Sequence, residues 1–107
     1  MEGLEQICFQ LITSAGSAKS CYIEAIQKAK QGDFDEAKAK IKEGDSMLLE
    51  AHEPHTDMIQ KEAAGETTPL SLFLIHAEDQ MMSTEIFKVM AEEFISLYEE
   101  REEWKKN

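Results

Sequence analysis

The chain has 107 residues, 42% of them hydrophobic and 31% charged, enough for one folded domain and too few for two. Five Gly and two Pro supply too little turn material for a sandwich or barrel and point to long helices with short connections. With 22 Asp and Glu against 11 Lys and Arg, the net charge is −11. Such a surface repels phosphate backbones and argues against nucleic acid as a partner.

The first segment, MEGLEQICFQLI, lacks the basic lead and small-residue cleavage site of a signal peptide, and no stretch reaches membrane-span length. The expected location is the cytosol, with no direct membrane insertion. Helix 1 is expected over about residues 3–31. Cys8, Leu11, Ala15, Ala18, Ala25 and Ala29 form a stripe of mostly small side chains at helical spacing, which lets another helix approach closely. Cys8 and Cys21 lie about 20 Å apart along such a helix, too far for a disulfide, and read as buried apolar residues. Gly16 weakens the helix interior.

Gln31-Gly32-Asp33-Phe34 ends helix 1 at Gly32 and starts helix 2 with Asp33 as N-cap and Glu36 three residues on. Helix 2 is expected over about 34–64, with Phe34, Ala37, Ile41, Leu48, Ala51, His55 and Met58 as its apolar line. Pro54 predicts a kink. His52 and His55 fall one residue short of the zinc-protease HExxH pattern. An i, i+3 pair can bind metal, but a surface His beside a packed one is the plainer reading.

Gly65-Glu66-Thr67-Thr68-Pro69 is the second break, with Thr68 as the expected cap and Pro69 as the first residue of helix 3, over about 69–104. Three rods of about 45 Å cannot make a sphere. The expected fold is all-α: an elongated antiparallel three-helix up-down-up bundle, a single domain over 1–107, with exposed flanks suited to self-association.

Helix 3 has more apolar circumference than one face requires. Phe73, Phe87, Met90, Phe94 and Leu97 form one stripe, expected to face the chain's own core. Ile75, Asp79, Met82, Ile86 and Val89 form a second at alternating four and three spacing, the pattern of a coiled-coil seam. A helix with two seams has two partners, and copies of itself are the simplest second one. Asp79 in the middle of that seam is costly if buried. Either Asp79 faces solvent, or repulsion among its copies is relieved by a shared proton or a divalent cation such as magnesium. His76 lies one turn before Asp79 among apolar neighbours. It is either a satisfied core residue or, with a carboxylate fixing its tautomer, a nucleophilic, phosphate-carrying imidazole.

Leu74-Ile75-His76-Ala77-Glu78-Asp79-Gln80-Met81-Met82, behind Gly65-Glu66-Thr67-Thr68-Pro69, resembles the third helix of the lactose/cellobiose-type IIA components of the bacterial phosphoenolpyruvate-dependent sugar phosphotransferase system. Ala15-Gly16, Ser17-Ala18-Lys19-Ser20, Gln31-Gly32-Asp33-Phe34 and Ala51-His52 with Thr56 extend the resemblance over nearly the whole chain. It implies a homotrimer of nine helices. It implies that His76 accepts a phosphoryl group from the carrier protein HPr and passes it to a cysteine of the cognate IIB component, serving uptake of a β-linked disaccharide of the cellobiose, lactose or chitobiose class. It also implies that Asp79, one per chain on the trimer axis, holds one divalent cation, expected to be Mg2+, with no organic cofactor. Gln80, one turn after His76, is the expected local support for the phosphate. The sequence departs from the family pattern at Glu78, where Gln is common, at Gln80, where His is usual, and at His55 beside Pro54, where Gln is expected. The competing reading is a non-catalytic helical interaction or scaffold module, in which His76 is a core residue. Metal-dependent hydrolysis at His52, His55 or His76 lacks a three-ligand set of suitable spacing.

Overall fold

The computed structural model describes residues 2–106, which form three helices: α1 (Glu2–Lys30), α2 (Phe34–Ala63) and α3 (Leu72–Lys106). The bundle measures 59 × 21 × 20 Å with a radius of gyration of 17.0 Å. A compact domain of this length has a radius near ~13 Å, so the shape is rod-like, as expected from the helix lengths. No helix among the described residues is long and apolar enough to cross a membrane.

Both helix ends fall where glycine permits. Gly32 (φ 85°) and Gly65 (φ 96°) adopt the left-handed conformation. After α1, the Gly32 N–H donates to the Ala29 carbonyl and the Asp33 N–H to Lys28. After α2, Gly65 donates to Glu62 and Glu66 to Lys61. Each pair is the two-bond closure that satisfies the last carbonyls of a helix. Asp33 caps α2 as expected, its Oδ1 accepting from the Glu36 N–H at 3.2 Å.

The start of α3 differs from expectation. Thr68 is not the cap and Pro69 is not helical; the helix begins at Leu72. Ser71 caps it instead, its Oγ accepting from the Leu74 N–H at 3.1 Å while its carbonyl accepts from Ile75. A serine hydroxyl reaches the third helical N–H more readily than the bulkier threonine three residues upstream could from outside the turn.

α1 is the spine. Cys8, Leu11, Ala15, Ala18, Ala25 and Ala29 are all buried, as the stripe predicted, and Ser14, Cys21 and Tyr22 join them. α1 packs extensively against both other helices, which touch each other far less. The core runs as three successive clusters: one around Leu11, Met58, Leu74 and Met81, one around Tyr22, Leu48 and Ala91, and one around Ala29, Ala37 and Ile95. α2 buries Ala37, Leu48, Ala51 and Met58 and continues as a helix through Pro54.

On α3 the expected core stripe is corrected. The buried face is Leu74, Ala77, Met81, Thr84, Ala91 and Ile95, whereas Met90, Phe94 and Leu97 are exposed and Phe73 and Phe87 half-buried. Ala77, Thr84 and Ala91 let α1 approach closely between the larger Leu74, Met81 and Ile95, and the aromatic side chains lie at the edges. Thr84 is buried at the contact, its hydroxyl bonding the carbonyls of Gln80 (2.8 Å) and Ala15 on α1 (3.2 Å). Trp104 is exposed as well.

One carboxylate ties the three helices. Asp45 Oδ1 on α2 accepts from the Tyr22 hydroxyl on α1 at 2.7 Å and pairs with Lys88 Nζ on α3 at 3.2 Å. Tyr22 reaches it because Gly44 has no side chain: a Cβ there would lie 2.6 Å from the ring. Helix propensity alone favours Gly44→Ala by about 1 kcal/mol, but overpacking against a buried ring costs about 1–3 kcal/mol. Gly44→Ala is therefore expected to lower the urea midpoint, and an unchanged or raised midpoint would show that the ring gives way. Burial, reinforced by the bond to Asp45 and its charge, pushes the Tyr22 hydroxyl far above its usual range. A group raised in this way gives its full stability below the unfolded tyrosine pKa near ~10 and loses it as pH rises further, because the unfolded chain releases a proton that the folded chain retains. Unfolding free energy is expected to fall above that pH in the wild type and to fall less in Tyr22→Phe, measured by denaturant titration.

Candidate functional site

His76 sits just past the first turn of α3, where Ser71 and Leu74 fix the helix start. It is exposed, and no hydrogen bond or ion pair joins it to any described residue. The core reading of this histidine fails, because the buried neighbours Leu74 and Ala77 point to α1 and turn His76 outward. Asp79, one turn on, is exposed as well. Gln80 is half-buried on the same edge as His76, and its carbonyl is engaged by Thr84. The structure therefore places His76, Asp79 and Gln80 on adjoining outer faces of one helix, with Gln80 directly one turn above His76.

The second stripe is exposed throughout. Ile75 (55%), Met82 (57%), Ile86 (66%) and Val89 (58%) face away from the chain's own core, together with Asp79. Such a contiguous apolar face marks an interaction surface. Leu49 and Ile59 on α2, and Phe9 and Ile23 on α1, extend apolar exposure to neighbouring edges.

His52 and His55 do not converge on a metal. His55 Nε2 lies 2.7 Å from Glu78 Oε2, and His52 Nε2 lies 2.7 Å from Glu85 Oε1. With Asp45–Lys88 and Lys38–Glu99, these pairs form a ladder of charged and polar rungs joining α2 to α3. Among the described residues of one chain, no three His, Cys, Asp or Glu side chains gather as a metal site. The ladder is the part that sequence reasoning missed. Glu78, Glu85 and Glu99, spaced by seven and fourteen residues on one face of α3, are its visible signal, but a single sequence does not show which α2 residues lie opposite.

The cysteines offer no alternative nucleophile. Both are buried and free. Burial pushes both thiols up, with Glu78 and Glu5 adding to the shift at Cys8, and Glu43 and Glu24 at Cys21, so neither is a reactive thiolate. Grooves of about 390 Å³ between Lys38, Asp45, Lys88 and Glu99 and about 340 Å³ beside Ile7, Met58 and Pro69 do not include His76. What the arrangement can do at His76 is present an unencumbered imidazole to a protein partner.

Comparison with known proteins bears on that surface. Residues 6–99 match the family model described as PTS system, Lactose/Cellobiose specific IIA subunit. The chain is 47% identical over 94 residues to the oligo-beta-mannoside-specific EIIA component of Bacillus subtilis, covering 88% of this chain and 86% of that one. Among solved structures it resembles the PTS cellobiose-specific enzyme IIA from Bacillus anthracis, with a TM-score of 0.87, 45% identity and coverage of 91% and 89%. It also resembles the IIA(Chitobiose) structure solved in complex with HPr from Escherichia coli, with a TM-score of 0.80, 34% identity and coverage of 92% and 96%.

Proposed function

The chain belongs to the lactose/cellobiose-specific IIA family of the phosphotransferase system, and on that premise we propose that it is a cytoplasmic phosphohistidine carrier acting through His76. The observation that carries this reading is the exposure of His76 with no hydrogen-bond or ion-pair partner among the described residues. A scaffold module would have no use for a free imidazole held outward on a capped helix.

The transfer needs little beyond position and electrostatics. An unprotonated nitrogen of His76 attacks the phosphorus of phospho-HPr. The new N–P bond forms as the donor's N–P bond breaks, and the electron pair returns to the donor imidazole. A cysteine thiolate of the cognate IIB component then takes the phosphoryl group, forming S–P, and His76 is regenerated. HPr as donor is supported by the likeness to the chitobiose IIA solved with HPr. The Gln80 side chain, one turn away, is suited to donate to a phosphate oxygen without adding charge to a surface that is already acidic. The sugar served is of the β-linked cellobiose, lactose, chitobiose or β-mannoside class.

Contacts along α2 and α3 run in opposite order, and those along α1 and α3 in the same order, which supports an up-down-up bundle. We read the exposed Ile75–Val89 stripe as the seam of a parallel homotrimer. Three copies of Asp79 would then meet as hard oxygen donors with room for water, a set that suits Mg2+. One chain offers only a single carboxylate, so such an ion would depend on assembly.

Incubation with phosphoenolpyruvate, enzyme I and HPr is expected to add one phosphate per chain, lost in His76→Gln; a phosphate that persists in that variant would overturn the carrier reading. Asp79→Leu extends the apolar seam and removes three facing charges. Replacing buried charges by packed apolar groups is often neutral or stabilising, so sedimentation is expected to show a trimer at least as stable as wild type and insensitive to chelator. A wild type that is monomeric at micromolar concentration with Mg2+ present would overturn the seam.

A further inference from the structure

Beyond Val89 the exposed apolar line of α3 continues. Met90, Phe94, Leu97, Arg101 and Trp104 follow at alternating four and three spacing, a second coiled-coil run set one residue out of step with Ile75–Val89. Its apolar members all face solvent: Met90 is 48% exposed, Phe94 37%, Leu97 49% and Trp104 66%. A strict heptad line drifts by about 20° per seven residues around a straight helix, and the one-residue step offsets that drift. Trp104 lies 18 residues after Ile86, five full turns, and so points the same way. The last turns of this run, with Arg101, Trp104 and Lys105, lie past residue 99, where the family match ends.

Charges beside the run are sorted by side. Glu93 and Glu100 immediately precede Phe94 and Arg101 on one flank, and Lys105 immediately follows Trp104 on the other. Neither Glu93 nor Glu100 has an ion pair among the described residues, and Lys105 Nζ and Arg101 Nη2 reach only Glu102 Oε1, each at a loose 3.7 Å. These flanking positions are where acidic and basic side chains pair between the helices of a coiled coil. In a closed ring of parallel copies, one flank of each helix meets the opposite flank of the next. Glu100 of one copy then faces Lys105 of its neighbour. Antiparallel copies would set the glutamate flank against itself, which repels. Charge therefore selects a second, parallel copy as the occupant. Arg101 holds the polar position inside this run, as Asp79 does in the first, and a single polar residue there fixes register.

We propose that Met90–Lys105 is a second self-association seam: parallel copies pack Phe94, Leu97 and Trp104 against one another, and Glu100 of each copy pairs with Lys105 of the next. This deepens the trimer reading above and rests on it. The first seam carries Asp79 and borders His76, so like charge weakens it. The second adds aromatic surface and one pair of opposite charges per interface. The trimer is thereby clamped toward the end of the 59 Å rod that lies away from the phosphoryl acceptor.

Trp104 is the only tryptophan in the chain, so its emission reports this seam alone. When wild type with Mg2+ is diluted and followed in parallel by sedimentation, emission is expected to shift to the red and acrylamide quenching to rise as the trimer is lost. Glu100→Lys and Lys105→Glu are each expected to raise the half-assembly concentration about 10-fold, because three exposed pairs of modest strength disappear. The double exchange is expected to restore it. Both side chains are exposed, so the single-chain core is untouched by these changes. A trimer whose Trp104 is as red and as quenchable as the monomer's overturns the second seam and leaves the trimer reading standing. A double exchange no stronger than either single one overturns the parallel pairing. A wild type that stays monomeric at micromolar concentration overturns the trimer reading itself, and this seam with it.

Discussion

The close approach of α1 to both other helices is the constraint from which the rest follows. Alanine at positions 15, 18, 25 and 29, all fully buried, brings two helices onto one narrow stripe, and Gly44 allows Tyr22 to fill the remaining gap. A core built from small residues needs only a narrow face of each partner. α3 satisfies α1 with Leu74, Ala77, Met81, Thr84, Ala91 and Ile95, and its large apolar side chains are left over. The bundle thus buries many alanines beside a few large side chains such as Leu11, Tyr22 and Met81, and leaves a second set of large ones exposed. That surplus gives α3 an apolar outer face with His76 on its border.

Much of this was legible in the sequence. Glycine at 32 and 65 fixed both helix ends, because only a left-handed residue closes the last turn in this way, and the α1 stripe named its own core. Two features were misread for physical reasons. Large aromatics at 73, 87 and 94 were assigned to the core of α3 because hydrophobicity was weighed without the width of the gap that alanines on α1 would leave. The start of α3 was set by Pro69, although proline at a first helical position is permissive rather than directive, and Ser71 supplied the actual hydroxyl to Leu74. The polar ladder was invisible for a third reason. His52, His55, Glu78 and Glu85 are ordinary surface residues until the register of α2 against α3 is known.

The same ladder brings together His55 and Glu78, the two positions at which the sequence reading expects glutamine. A histidine and a glutamate 2.7 Å apart across two helices are one feature, so changing either alone would break a pair. Exposed rungs of this type contribute about 0–1 kcal/mol each, too little to account for the joining of α2 and α3, which depends on their common packing on α1. Their effect is to hold side chains in place. The rung nearest His76 is also the better shielded of the two histidine pairs, with His55 16% exposed against 46% for His52.

A carrier must accept a dianionic group and release it again, which sets opposing demands on a surface of net charge −11. A cationic cradle would bind the phosphate and slow its departure; a wholly acidic one would repel it. Around His76 the nearest side chains resolve this by type. Gln80, one turn on, is neutral, Asp79 is exposed on the adjoining face, and Glu78 is turned toward α2, where it meets His55. The two basic residues of the α2–α3 ladder, Lys38 and Lys88, are already paired with Glu99 and Asp45 toward the far end of the bundle. Neither lysine of that ladder is therefore free to serve a phosphate at His76. On the proposed carrier reading, affinity for the phosphoryl group would then reside largely in the donor or the acceptor, as a reversible relay between two proteins requires.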